Sequence, residues 1–194
     1  NGVYDGKKPP YNEASEVNPI DVYGKTKVAG EEFVRSNLEK YTIIRLITMY
    51  GWNNPSERQN PVTWQNQILG ENKLPINMVN DMYNNFLFAE EAAEAILRAV
   101  ESGLNKETFN IAGSDCISRY DFSLAIAKTF GHDAAMITPV PLSFFNTLVP
   151  RPKNTCFVTT KMRTKLGCKP ISVKQGLGRM KKNPPRMSWW KELE

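Results

Sequence analysis

Residues 18–51 read NPIDVYGKTKVAGEEFVRSNLEKYTIIRLITMYG, and their period changes partway along. After Pro19 nothing breaks a helix over residues 20–40 except a tolerated Gly30. Val28, Phe33, Val34 and Leu38 give that helix an apolar face. From Tyr41 the pattern turns into a short β-branched apolar run closed by Gly51, which suits a parallel strand buried on both faces. A helix running directly into a buried strand is the repeating step of an α/β sheet.

The alternation continues outward. Residues 1–19 are dense in Gly, Pro, Asn and Asp and read as loop. VTWQNQILGEN (62–72) reads as a short helix and KLPINMVND (73–81) as a strand. AEEAAEAILRAVESG (89–103) is the clearest helix, closed by Gly103. ETFNIAG (107–113) is a second buried strand ending in glycine. Ser118 and Asp121 form a capping box for a helix that Gly131 closes. AAMITPVPL is a short extended piece, and VPRPKN is a loop stiffened by Pro150 and Pro152 around Arg151. A last short helix covers residues 173–182. The class is α/β, yet only two strands, near 42–48 and 108–112, are convincing buried parallel ones. A doubly wound sheet needs about five or six. No G-x-G-x-x-G loop follows any strand, so the usual pyrophosphate cradle is missing.

Composition narrows the function classes. The chain has 194 residues, ordinary hydrophobic (41%) and charged (23%) fractions, and no apolar run long enough for a membrane span. Its net charge of +5 is partly in the tail RMKKNPPRMSWWKELE, read as a solvated extension rather than a nucleic-acid contact. Three cysteines (Cys116, Cys156, Cys168) without C-x-x-C spacing argue against a zinc site or a disulfide scaffold. They fit a reducing, cytoplasmic setting. The sole histidine, His132, reads as a solvated loop residue, which removes a Ser-His-Asp triad and most metal chemistry.

Tyr23 and Lys27 stand four apart and, on a helix, share one face. A free tyrosine has a pKa of about 10, and a neighbouring ammonium favours its phenolate. Such a pair can give a proton to a carbonyl oxygen while hydride moves at carbon. The spacing alone is weak, with roughly half a match expected by chance. Tyr4 and Lys8 have it too, but Gly6 and Pro9-Pro10 make a helix there unfavourable. On spacing alone, Tyr23/Lys27 as an exposed neighbour pair remains an equal alternative.

The wider order of motifs is more specific. Val3, Asp5 and Gly6; Pro10, Tyr11 and Glu13; Tyr23, Gly24, Lys27, Gly30 and Glu31; and Ile43, Arg45, Tyr50 and Gly51 recur in family order. So do VND (79–81), FNIAGSDCISRYDFSLAIAKTFG and RPKNT (151–155). Over residues 1–182 the chain resembles the second half of an extended short-chain dehydrogenase/reductase, most of all the dTDP-4-dehydrorhamnose reductase branch. That branch also contains the regulatory subunit of methionine adenosyltransferase.

The resemblance implies the C-terminal part of a Rossmann-like parallel sheet with a small substrate-binding subdomain, the N-terminal cofactor half being absent. Residues 1–51 would end the Rossmann-like part and carry the catalytic helix. Residues 52–182 would mix substrate-binding and returning Rossmann elements, and 183–194 would be a tail. Tyr23 would be the catalytic acid, with Lys27 binding the nicotinamide ribose and lowering the pKa of Tyr23. Thr48 and Met49 would line the nicotinamide and sugar pocket, and Asn60 and Arg151 would face a nucleotide-sugar substrate. The cofactor would be NADPH or NADH, its binding loop lying upstream. No metal, nucleic acid or membrane is implied. The full-length protein would dimerise as many relatives do, and the isolated chain would be inactive. The family's catalytic Ser or Thr precedes the position of Asn1. Thr48 replaces an aromatic common in the rhamnose reductases, and Val158 stands where the family tends to have Asp. The rival expectations are a non-catalytic regulatory subunit, a nucleotide-sugar epimerase or dehydratase, and a fragment without an independent role.

Overall fold

The computed structural model describes residues 2–54, 56–146 and 149–184. In chain order the first elements are α1 (Val22–Asn37), β1 (Thr42–Leu46), β2 (Met49–Tyr50), α2 (Pro61–Gln65) and a π-helical stretch over Asn66–Glu71. Next come β3 (Ile76–Val79), β4 (Tyr83–Asn85), β5 (Leu87–Phe88) and α3 (Ala89–Glu101). Then follow β6 (Glu107–Ile111), β7 (Cys116–Ser118), α4 (Arg119–Phe130) and β8 (Ile137–Val140). The last are α5 (Thr160–Leu166) and α6 (Val173–Lys182).

The two strands expected to be parallel neighbours are paired. β1 runs parallel to β6 with Ile44 opposite Phe109 and Leu46 opposite Ile111. The crossover between them contains α3, whose Ala92, Ala95 and Ala99 are buried. Small side chains on that face let the helix lie close to the sheet. Phe109 and Ile111 are fully enclosed here with Met162 and Leu166 of α5, each such side chain stabilising the fold by about 1.5–3 kcal/mol.

A second cluster joins β2 and β5, parallel neighbours, to α4 and α6. Phe86 stacks on Phe122 at 3.8 Å, and Tyr50 lies between Phe88 and Phe122. Gly176 of α6 sits directly over the Tyr50 hydroxyl, where a Cβ would collide. β3 and β8, also parallel, form the third cluster with Leu69 and Ala127. β4 and β7 pair antiparallel.

Caps fall where the sequence places them. Asp121 N–H donates to Ser118 Oγ at 3.0 Å, and Gly131 ends α4 at φ 85°, a left-handed position that suits glycine. α6 spans the expected 173–182.

Four expectations need correction. The helix face is one: Val28 and Val34 are half-buried, but Phe33 and Leu38 are 66% and 49% exposed. Only Gly24 of α1 is buried. β1 is the second. Four of its five residues are only half-buried, because β6 is its single strand neighbour among the described residues and one flank stays open. The third concerns cysteine. Cys116 and Cys156 form a disulfide with Cα atoms 5.7 Å apart. Spacing in sequence gave no hint, because long-range pairing creates the proximity. Cys116 faces Asn85 in the β4–β7 ladder, and Phe157 N–H donates to Asn85 Oδ1 at 2.7 Å. Fourth, His132 is half-buried against Gly70, with Nε2 2.8 Å from Asn66 Oδ1. Burial, then Lys73, pushes its pKa below the usual histidine value.

The expected tail falls largely outside the described residues. No described helix is long and apolar enough to cross a membrane, and the described residues contain no cluster of metal-ligating side chains.

Candidate functional site

Tyr23 and Lys27 occupy the first turns of α1. Asp21 caps the helix by accepting from Gly24 N–H at 2.6 Å. Gly24 allows the turn to rest on Gly2 and Pro19; a Cβ there would meet the Gly2 carbonyl oxygen and come within 2.8 Å of Pro19 Cβ. A Cβ on Gly2 would in turn stand 2.9 Å from Tyr23 Cδ1. The Tyr-Gly step thus seats the helix against the loop that precedes it.

A largely buried ion pair fixes the next turn of the same helix face, where Glu31 lies four residues beyond Lys27. Arg45 of β1 donates through Nε and Nη2 to both oxygens of Glu31, each at 2.7 Å, and through Nη1 to Tyr4 Oη at 2.7 Å. Tyr4 is fully buried and stacks on Tyr11 at 4.2 Å. Tyr11 donates to Asp5, and Asn110 N–H donates to Glu13. The Lys7 backbone N–H, together with Tyr11 and Asn18, holds the Asp5 carboxyl below the usual carboxylate range. Most of the recurring motif residues therefore build the frame. Tyr4 belongs to it, so the Tyr4/Lys8 spacing has no role as an acid–base pair.

On that frame Tyr23 is 57% exposed, and the Lys27 ammonium lies 5.2 Å above its ring centroid. Both line a groove of about 310 Å³ with Gly2, Val3, Glu31 and the β1 residues Ile43–Leu46. Lys27 forms no ion pair among the described residues. The groove stops at Leu46. Thr48 and Met49 are not part of its lining, and the Thr48 carbonyl accepts from Leu87 N–H at 3.0 Å.

Asn60 and Arg151, 91 positions apart, meet on a second cavity of about 730 Å³. Asn60 caps α2: its Oδ1 accepts from Val62 and Thr63 N–H, and its Nδ2 donates to the Gly51 carbonyl at 2.7 Å. These bonds fix the cavity wall. Arg151 reaches the cavity from the proline-flanked loop. Sequence reading missed Arg58, Trp64, Gln65, Arg119 and Phe145, which share the lining. An arginine at the first position of a helix, directly after its cap, was the available signal for Arg119.

A Tyr–Lys pair on a helix that feeds a parallel β–α–β unit defines the class: the extended short-chain dehydrogenase/reductase fold. More narrowly, the chain belongs to the RmlD substrate binding domain family, whose sequence model matches residues 1–184. It is 26% identical over 186 residues to dTDP-4-dehydrorhamnose reductase of Aggregatibacter actinomycetemcomitans, covering 90% of this chain and 62% of that protein. It is 27% identical over 142 residues to methionine adenosyltransferase 2 subunit beta of Xenopus tropicalis, covering 71% and 42%. The crystal structure of dTDP-4-dehydrorhamnose reductase from Bacillus anthracis in complex with NADP superposes with a TM-score of 0.83 at 26% identity. That match covers 93% of this chain and 62% of the other. The chain thus spans less than two thirds of these relatives.

Proposed function

We propose that this chain supplies the acid–base pair and the substrate cavity of an NAD(P)-dependent reductase acting on a nucleotide-linked 4-keto-6-deoxy sugar. The observation that carries the reading is the joint presentation of Tyr23 and Lys27 on an open groove beside β1, in a chain of this family. A nicotinamide cofactor, when bound, supplies the hydride to the keto carbon. Tyr23 donates the proton from Oη to the sugar oxygen, so the ketone leaves as an alcohol. Lys27 makes no ion pair among the described residues, the Glu31 carboxylate of the same groove being held by Arg45, and its three N–H donors serve ribose hydroxyls. Thr48 and Met49, following β1, are the neighbours assigned to the nicotinamide and sugar. Asn60 and Arg151 are those assigned to the nucleotide-sugar.

The groove fits the nicotinamide end of such a cofactor. The chain has no glycine-rich loop to cradle a pyrophosphate, so residues outside it must do so. The prediction for the isolated chain is neither turnover nor micromolar NADPH binding, and titrating NADPH into it checks this.

The test uses the full-length protein, NADPH and a dTDP-4-keto-6-deoxy sugar. Tyr23→Phe lowers kcat by about 10²–10⁴-fold. A wild-type enzyme with turnover that Tyr23→Phe leaves intact refutes the assignment. The similarity to methionine adenosyltransferase 2 subunit beta supports a second reading, a regulatory subunit. A stable enzyme partner in a pull-down, with no turnover of the keto-sugar, would favour it.

A further inference from the structure

The short strand β4 is flanked on both edges. β7 pairs with it antiparallel, Cys116 opposite Asn85 and Ser118 opposite Tyr83. Along its other edge runs the segment 153–157. Tyr83 N–H donates to the Lys153 carbonyl at 2.7 Å, Thr155 N–H to the Tyr83 carbonyl at 3.2 Å, and Phe157 N–H to Asn85 Oδ1 at 2.7 Å. The Cys116–Cys156 disulfide joins these two flanking segments directly. Its ends differ in access: Cys116 is exposed, whereas Cys156 is 2% exposed. The third cysteine, Cys168, is buried and free.

A thiolate opens a disulfide by attacking one sulfur and expelling the other. Cys116 is the accessible end. Attack on its Sγ forms a mixed disulfide there, breaks the bond to Cys156 and releases Cys156 as a thiolate, which takes up a proton. Hydrogen bonds keep Cys156 in place: its carbonyl accepts from Tyr11 N–H at 2.8 Å, and Asn85 holds the N–H of the next residue. With its Cα 5.7 Å from that of Cys116, Cys156 attacks Cys116 Sγ again and expels a monothiol. This return is intramolecular, so it outruns a second attack from solution. A dithiol escapes the return. Its own second thiol attacks within the mixed disulfide and expels Cys116, so the reagent leaves as a disulfide while the two cysteines gain two electrons and two protons.

We propose that Cys116–Cys156 is a thiol-exchange site selective for dithiol reductants, and that its reduction unclasps β7 from the 153–157 segment across β4. The bonds to β4 survive reduction, so the opening is local and reversible. β7 runs on into Arg119, and the other segment leads back to Arg151; both line the larger cavity, whose wall therefore gains mobility. The inference is independent of the acid–base reading of Tyr23 and Lys27.

The experiment treats the air-oxidised full chain with dithiothreitol or with glutathione at equal thiol concentration. Samples are quenched in acid, alkylated after unfolding and weighed by mass spectrometry. The untreated chain takes one label, on Cys168, and the reduced chain takes three. Dithiothreitol converts the chain about tenfold faster than glutathione, or more. Deuterium exchange at labelling times of seconds to minutes then compares the two forms. Amides of 116–119 and 153–158 exchange about tenfold faster after reduction, while those of β1 and β6 stay protected. The Cys116→Ser/Cys156→Ser double variant exchanges like the reduced chain and ignores dithiothreitol. If it fails to fold, the two forms of the wild type decide. Three labels in the air-oxidised chain overturn the site outright, and equal rates with both reagents overturn its selectivity. Unchanged exchange in the two segments overturns the clasp. So does lost protection in β1 and β6, which would make the disulfide a staple of the whole fold.

Discussion

Glu91→Gln should make the protein more stable at pH 8 and no more stable at pH 4. Glu91 lies on α3 and is 6% exposed. Its Oε1 accepts from Ile171 N–H at 2.7 Å, tying α3 to the segment that leads into α6, while Oε2 has no partner among the described residues. Burial raises its pKa from 4.5 to about 7; the Ile171 bond and Arg179 oppose the rise, and Glu94 adds to it. The sign follows from proton counts. Between about pH 4.5 and 7 the folded protein holds a proton that the unfolded chain has lost, so stability falls as pH rises through that window. The contribution is complete below pH 4.5 and gone above about 7. At about 1.4 kcal/mol per unit, it amounts to about 3–4 kcal/mol. A carboxamide is neutral throughout, keeps the oxygen that accepts from Ile171, and places one unpaired N–H where the protonated acid places its O–H. The assay is urea denaturation of both proteins from pH 4 to 8, followed by tryptophan fluorescence. Wild type and variant coincide at low pH and separate by about 3–4 kcal/mol at pH 8. Parallel curves, or a variant less stable at pH 8, would refute the reasoning.

Arg45→Met leaves Glu31 without its bidentate partner and costs about 3–5 kcal/mol, while the double change with Glu31→Gln recovers most of it; denaturant midpoints measure both. Removing the disulfide by Cys116→Ser frees a loop of 40 positions and lowers stability by about 4 kcal/mol in the chain-entropy account, read from melts with and without reductant. Gly24→Ala drives a methyl into Gly2 and Pro19, costs about 1–3 kcal/mol, and in the full-length protein displaces Tyr23 enough to lower kcat more than it changes KM.

The elements with a full period were legible in the sequence. α1, α3 and α4 each run for at least three helical turns, and β1 and β6 are five-residue strands in which β-branched or apolar side chains predominate. β2, β4, β5 and β7, at two or three residues, are too short for any period to register, and α5, with only about two helical turns, was missed for the same reason. The exposure of Phe33 and Leu38 was illegible because an apolar stripe records that a surface is covered, not by what. The disulfide and the Arg119–Arg151 approach depend on pairing across 40 and 32 positions, which single-chain patterning does not encode. At the Tyr23 groove, the shared face of Tyr23 and Lys27 could be read from spacing, whereas the roles of Glu31, Arg45 and Tyr4 as a buried frame emerged only from contacts.

The seat of α1 on Gly2 has a practical side. Gly2 lines the same groove as Tyr23, and even a single added carbon there would press on the tyrosine ring. A substitution at Gly2 therefore reaches Tyr23 through packing alone, from a position outside the helix that carries it.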